Sequence, residues 1–333
     1  MKKYWRLYIF LFFLIGAGWW LYQKKLISSQ VFLSPEAPYL IIEKPLEKYS
    51  FDNLRKHVYA GSQVELGRVL ESNDQYTARM FYYYADGKKI SGQINLPSRR
   101  DLEGSQGRPV VIMIRGYVDQ EIYETGMGTK NGAGYLASSG FITVAPDFLG
   151  FGESEMPPNN SLEERFMRPG QILELIASLK NIDGADENRV CIWGHSNGGQ
   201  IALSVLEISG KKYPTSLWAP VSKPFPYSIL YYTDEFDDYG RALRRVVAGF
   251  EALYEADDYS IHKYYSWIKA PIQIHQGTND EAVPLKWSEE LKDKLKEAGA
   301  DAELYVYKEA DHNLTGGWDL AMKRSLEFYL KKL

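Results

Sequence analysis

The 333-residue chain holds a single cysteine, Cys191, so no intramolecular disulfide can form in any compartment. Cys191 falls in an apolar run and reads as a small buried hydrophobe. Histidines number only five, and no set of His, Cys and carboxylates has metal-ligand spacing, so neither a metal nor a cofactor is expected. A net charge of −4, with no basic run beyond the amino terminus, gives no support for a nucleic-acid partner. No repeat of propeller-blade length is visible. Long apolar runs are nearly absent too, with one exception.

That exception is Tyr8 to Tyr22, preceded by Lys2, Lys3 and Arg6 and followed by Lys24 and Lys25. With Trp5 and a snorkelling Arg6, the apolar segment approaches the ~20 residues that span a bilayer. A cleavable signal peptide is the rival reading. The small residues Gly16-Ala17-Gly18 run straight into Trp19-Trp20-Leu21, however, and no clean cleavage site follows. Residues 1–28 are therefore expected to be a single-pass anchor, with Trp19, Trp20 and Tyr22 at the far headgroup layer. The basic flank before the span favours a cytoplasmic terminus and an extracytoplasmic catalytic domain. About 305 residues remain, sufficient for one large α/β domain. Residues 29–75 are expected to be a linker and amino-terminal extension, and 76–333 the catalytic domain.

Within that domain, Val190-Cys191-Ile192-Trp193 reads as a buried strand, and Ile201, Ala202, Val205 and Leu206 as the apolar face of a helix. Between them, Gly194-His195-Ser196-Asn197-Gly198 fits the GxSxG elbow, which lifts a serine hydroxyl above the end of a sheet. A nucleophilic serine needs a base, and the base needs an acid to hold its tautomer. His312, after the strand Ala302 to Tyr307, is the histidine placed at a strand's carboxyl end, and Asp280 occupies the loop after the preceding strand. Glu281 is the nearest rival acid. The order Ser196, Asp280, His312 is that of α/β-hydrolases. His195 fills the x position of the elbow, and His275 reads as a satisfied histidine within a strand. The oxyanion donors are expected to be the Asn197 backbone N–H and Tyr117, through its N–H or its hydroxyl, after the buried run Pro109 to Ile114.

Parallel strands alternating with helices predict a doubly wound, mostly parallel sheet. A β-hairpin, Tyr76 to Tyr84 and Ile90 to Leu96 around Asp86-Gly87, should precede it. Residues 222–267, rich in tyrosine and acids, are expected to form a helical cap over the site. The alternative is an ordinary helical connection on the sheet's edge.

Met113-Ile114-Arg115-Gly116-Tyr117, Ala145 to Ser154, Gly194 to Gly199, Lys269 to Pro284 and Asp311-His312 together resemble the catalytic domain of the prolyl oligopeptidase group of serine peptidases, with dienelactone-hydrolase-like esterases as close relatives. The resemblance covers about Tyr76 to Leu333. It implies an α/β-hydrolase fold and acyl transfer to Ser196 on a short peptide, or on an ester in the related enzymes. Two positions depart from the family pattern. Gln276 replaces the His of a His-Gly-x-x-Asp segment, and Arg115 replaces the His of a His-Gly oxyanion motif, which leaves the pocket's charge open. With only about 75 residues before the resemblance begins, no gating propeller is expected in this chain. Peptidase, carboxylesterase and a non-catalytic membrane-tethered binding domain are the three functional readings, and the sequence sets no oligomeric state.

Overall fold

A computed structural model describes residues 43–98 and 107–333. The expected anchor and residues 29–42 of the expected linker lie outside these residues. Among the described residues no helix is long and apolar enough to cross a membrane.

Asp86 (φ 51°) and Gly87 (φ 74°) both take positive φ, as a two-residue hairpin turn requires. That turn pairs β2 (Tyr76–Ala85) with β3 (Lys88–Pro97) in antiparallel register from Ala85↔Lys88 to Tyr76↔Pro97. The next strands are β4 (Arg108–Ile114), β5 (Ile142–Pro146), β6 (Ala185–His195), β7 (Thr215–Trp218), β8 (Ile272–Gly277) and β9 (Ala302–Tyr307), with β1 (Glu65–Ser72) before the hairpin. The described residues form one nine-stranded sheet in the order β1-β2-β3-β5-β4-β6-β7-β8-β9. From β5 to β9 every neighbour is parallel. The sheet is thus mostly parallel, as the alternating pattern predicts.

A parallel strand buried on both faces reads as a continuous apolar run, and β4 shows why. Val110, Ile112 and Ile114 join one core cluster, while Val111 and Met113 join the other. The first cluster contains side chains of α1 (Phe51–Lys56), α3 (Ser161–Ser178) and α4 (Asn197–Ser209). The second contains those of α2 (Lys130–Ser138) and α8 (Trp318–Lys332), together with Cys191, which is free and buried.

Residues 43–75 carry more structure than a linker. Leu46, Tyr49, Phe51 and Leu54 are buried in the first core. The Leu46 N–H donates to Tyr254 Oη (3.0 Å), and the Tyr259 hydroxyl donates to the Leu46 carbonyl (3.1 Å). β1 extends the sheet through β2 with two register irregularities, and its mostly exposed side chains carry no strand signature.

Residues 221–267 contain the short α5 (Tyr227–Leu230), the helix α6 (Arg241–Glu251) and four 3-10 turns. Their aromatics divide into two sets. Phe225, Phe250 and Tyr259 close around Phe166 of α3, with Tyr254 stacked on Phe250. Tyr227, Tyr231, Phe236 and Tyr239 remain exposed. The stretch expected to form a helical cap thus holds two helices of unequal length among 3-10 turns, and half of its aromatics serve the core.

One polar residue in α4 is anomalous. Glu207 is fully buried, and neither carboxyl oxygen has a hydrogen-bond partner. Burial pushes its pKa well above the carboxylate range, so it is held protonated.

Candidate active site

β6 ends at His195 and α4 begins at Asn197, so the whole reversal falls on Ser196, at φ 54° and ψ −121°. A side chain at residue 198 would put its Cβ 2.1 Å from the Ile114 carbonyl oxygen, and one at 194 would put it 2.7 Å from the Gly198 oxygen. Only glycine fits either position. The strained serine is held from both sides: its N–H donates to the Trp218 carbonyl (2.9 Å), and its carbonyl accepts from Val221 (3.0 Å) and Gly199 (2.9 Å).

Asp280 follows β8 and its side chain is fully buried. Oδ1 accepts the N–H groups of Ala282 (2.9 Å) and Val283 (2.8 Å), and Oδ2 accepts Gln276 Nε2 (2.7 Å). His312 Nδ1 lies 3.0 and 2.9 Å from the two oxygens. Burial opposes the charge, but the bonds from His312, Val283 and Gln276 outweigh it and hold the carboxyl below its usual range. Asp280 is thus an anion that fixes the His312 proton on Nδ1 and leaves Nε2 as an acceptor. Glu281, the rival acid, is exposed. Among the described residues no hydrogen bond joins Ser196 Oγ to His312 Nε2; such bonds are often long without substrate and tighten when it binds.

Two supporting residues emerge only in three dimensions. Gln276 donates to Asp280 and to the Val283 carbonyl (3.1 Å), while its Oε1 accepts from Ser288 (2.7 Å), so one buried amide braces the acid loop against the helix α7 (Leu285–Glu297). Its signal in the sequence was the departure from histidine at that position. His195 Nε2 lies 3.0 Å from the His312 carbonyl, which can only accept, so the imidazole donates through Nε2. Its ring lies 4.7 Å from that of His312, and burial pushes its pKa down to about 4. A neutral His195 therefore props the His312 loop. His275 is fully buried and satisfied, with Nδ1 2.7 Å from Tyr307 Oη and Nε2 2.8 Å from Gln273 Oε1.

The open question about Arg115 has a structural answer. Its guanidinium is buried, donates to the carbonyls of Gly116 (3.0 Å) and Asp147 (2.9 Å), and lies against the rings of Tyr123 and Phe151 at 4.5 and 4.2 Å. It ties the β4 loop to the β5 loop. Gly116 packs directly on Ser196, since a Cβ there would lie 2.9 Å from Ser196 Cβ. Tyr117 is next in the chain, 79% exposed. Asn197 opens α4, where unsatisfied N–H groups concentrate.

Beside this cluster lies a cavity of about 640 Å³, walled by Trp193, His195, Trp218, Asn313 and Trp318. Its volume is in the range of small-molecule sites. No group of three or more metal-ligating side chains occurs among the described residues.

Comparison with known proteins agrees with this architecture. The Prolyl oligopeptidase family profile matches residues 129–333. The chain is similar to the uncharacterized peptidase YtmA of Bacillus subtilis, 25% identical over 206 residues, 59% of this chain and 74% of YtmA. Among solved structures, acetyl xylan esterase 1 from Thermoanaerobacterium sp. superposes with a TM-score of 0.58 at 17% identity, over 85% of this chain and 94% of the esterase. The Pyrococcus horikoshii acylaminoacyl peptidase superposes with a TM-score of 0.60 at 20% identity, over 78% of this chain but only 42% of the peptidase. Both likenesses concern the fold. An α/β-hydrolase sheet, a serine elbow and a profile match over more than half its length make this chain a member of the prolyl oligopeptidase family, a serine hydrolase of peptidase or esterase type.

Proposed function

We propose that this chain is a membrane-anchored serine peptidase acting on short peptides through an acyl-enzyme on Ser196, with His312 as base and Asp280 as its orienting acid. The observation that carries the proposal is the pairing of His312 with the buried Asp280 in one domain with a serine strained into the elbow conformation. His312 Nε2 takes the hydroxyl proton as Oγ attacks the scissile carbonyl. The Asn197 N–H and Tyr117, through its N–H or hydroxyl, stabilise the oxyanion. Collapse releases the amine, protonated by His312, and water then attacks the acyl-enzyme by the same route. Residues 222–267 act as the cap that selects substrate and excludes water.

A carboxylesterase reading uses the same residues. It draws support from the apolar character of the ground beside Ser196 and Asp280, where the buried side chains of Val221, Val283 and Trp287 form a cluster with Tyr232 packed against it. Aminoacyl-arylamides and short-chain aryl esters, assayed side by side on purified protein, separate the two. Arylamide turnover that a fluorophosphonate abolishes is the expected result. Ester turnover alone would establish the esterase, and neither activity would leave a binding domain.

For the amino terminus, we expect Tyr4 to Tyr22 to keep the full chain in the membrane fraction through alkaline carbonate and high salt, because burial in hydrocarbon is not screened by ions. Protease added outside intact cells should reach the catalytic domain. A mature terminus beyond residue 18 would instead indicate signal-peptide cleavage, and carbonate-soluble full-length protein would remove the anchor.

A further inference from the structure

Arg165, on α3, reaches the first turn of the nucleophile helix. Its Nη1 lies 3.5 Å from Asn197 Oδ1, and Nη2 donates to Gln200 Oε1. Both partners are neutral amides. The neighbouring Arg168, by contrast, pairs with Glu164 at 2.6 Å. Among the described residues no carboxylate pairs with Arg165, and the neighbouring cation Arg168 repels it. Burial and Arg168 together press its pKa down to about 10, which leaves it a cation at neutral pH. A partly buried charge without a counter-charge is costly to keep, and a structural strut between two amides needs no charge at all.

The surroundings indicate what would compensate it. A guanidinium has five N–H donors in a planar fork that matches a carboxylate, and the two amides engage only two of them. The positive end of the α4 dipole adds to the local potential. A cavity of about 40 Å³ adjoins, lined in part by Arg165, Arg168, Asn197 and Gln200. One water-sized group needs roughly 10–15 Å³ by the same measure, so a carboxylate head fits. Asn197 directly follows Ser196, and consecutive Cα atoms are about 3.8 Å apart, which puts the guanidinium on the order of 10 Å from the nucleophile. Less roughly 3 Å of contact distance at each end, that leaves a span of one or two extended peptide residues.

We propose that Arg165 is a specificity residue, and that this hydrolase selects substrates bearing a free carboxylate one or two residues, or an equal length of chain, from the scissile carbonyl. The inference rests on the reading of Ser196 as the acyl-accepting nucleophile. The carboxylate can belong to the leaving side, as a peptide's free carboxyl terminus, or to the acyl side, as in a half-ester of a dicarboxylic acid. Both present the same group to Arg165.

Steady-state kinetics on two matched pairs distinguish the sources: a tripeptide with a free carboxyl terminus against its terminal amide, and an aryl hemisuccinate against the aryl butyrate. In one pair the wild-type enzyme should favour the carboxylate member by roughly 10- to 100-fold in kcat/KM, the range of a charge-assisted bidentate bond. Arg165→Met should collapse that ratio toward one, mainly through KM, and Arg165→Lys should restore part of it. Arg165→Gln, checked by circular dichroism, gives a second neutral variant if the methionine variant folds poorly. Equal use of both members of both pairs by the wild type would overturn the proposal. So would variants that slow charged and neutral substrates by the same factor, which would make Arg165 a strut between α3 and α4. The underlying reading has its own readout in fluorophosphonate labelling of Ser196. Labelling with no carboxylate preference rejects the role of Arg165 alone, whereas absence of both labelling and turnover rejects the two together.

Discussion

Replacing Ser196 with alanine is expected to end labelling by a fluorophosphonate and to lower turnover by about 10⁴- to 10⁶-fold, because nucleophile, base and acid act as a unit. The fold should survive. The bonds that pin residue 196 are all made by its backbone, to Trp218, Val221 and Gly199. Alanine keeps the Cβ that already rests against Gly116 and loses only the hydroxyl. Circular dichroism of the variant should therefore overlay the wild type while the activity disappears. Undiminished labelling would show that another side chain carries the nucleophile.

Asp280→Asn should cost roughly 10³- to 10⁴-fold in turnover, and the hydrogen-bond pattern explains why an isosteric change is so damaging. In the folded protein both carboxylate oxygens face only donors: two backbone N–H groups, the Gln276 amide and His312 Nδ1. Asparagine has a single acceptor oxygen. With that oxygen on the Ala282 and Val283 N–H groups, its NH₂ confronts the Gln276 amide and can meet His312 only if Nδ1 has lost its proton. The proton then sits on Nε2, where it blocks the base. Glu281→Gln, at an exposed side chain one residue away, should change turnover by less than about threefold. Parallel kcat measurements on the two variants decide the acid, and a larger loss at Glu281 would reassign it.

The elbow turn, the hairpin and the mostly parallel sheet were legible because each is encoded locally. A buried strand must read as an apolar run, a hairpin turn as Asp-Gly, and an elbow as glycines flanking a serine. What escaped depends on partners distant in sequence. Leu46, Tyr49, Phe51 and Leu54 lie among charges and prolines, and their core role exists only because Tyr254 and Tyr259 lie across from them. β1 has exposed side chains on both faces, so alternation could not reveal it. Arg115 looked like a pocket charge until the loops after β4 and β5 closed around it. The tyrosines of 222–267 gave no sign of which would serve the core and which the surface.

Glu207 gives the domain an unusual relation to protons. In the unfolded chain its carboxyl is ionised at neutral pH, whereas in the folded chain burial keeps it protonated, so folding draws a proton from solvent. Its contribution to stability therefore weakens as pH climbs above the ordinary carboxylate range toward the raised native value. Asp280 runs the other way. Its native pKa is depressed, so its contribution is present above the unfolded value and is lost as pH falls through the native one. The helix α4 and the Asp280 loop thus titrate against each other. Alkali strains the first and acid the second, and the machinery between them is best held where one carboxyl keeps its proton and the other has given it up.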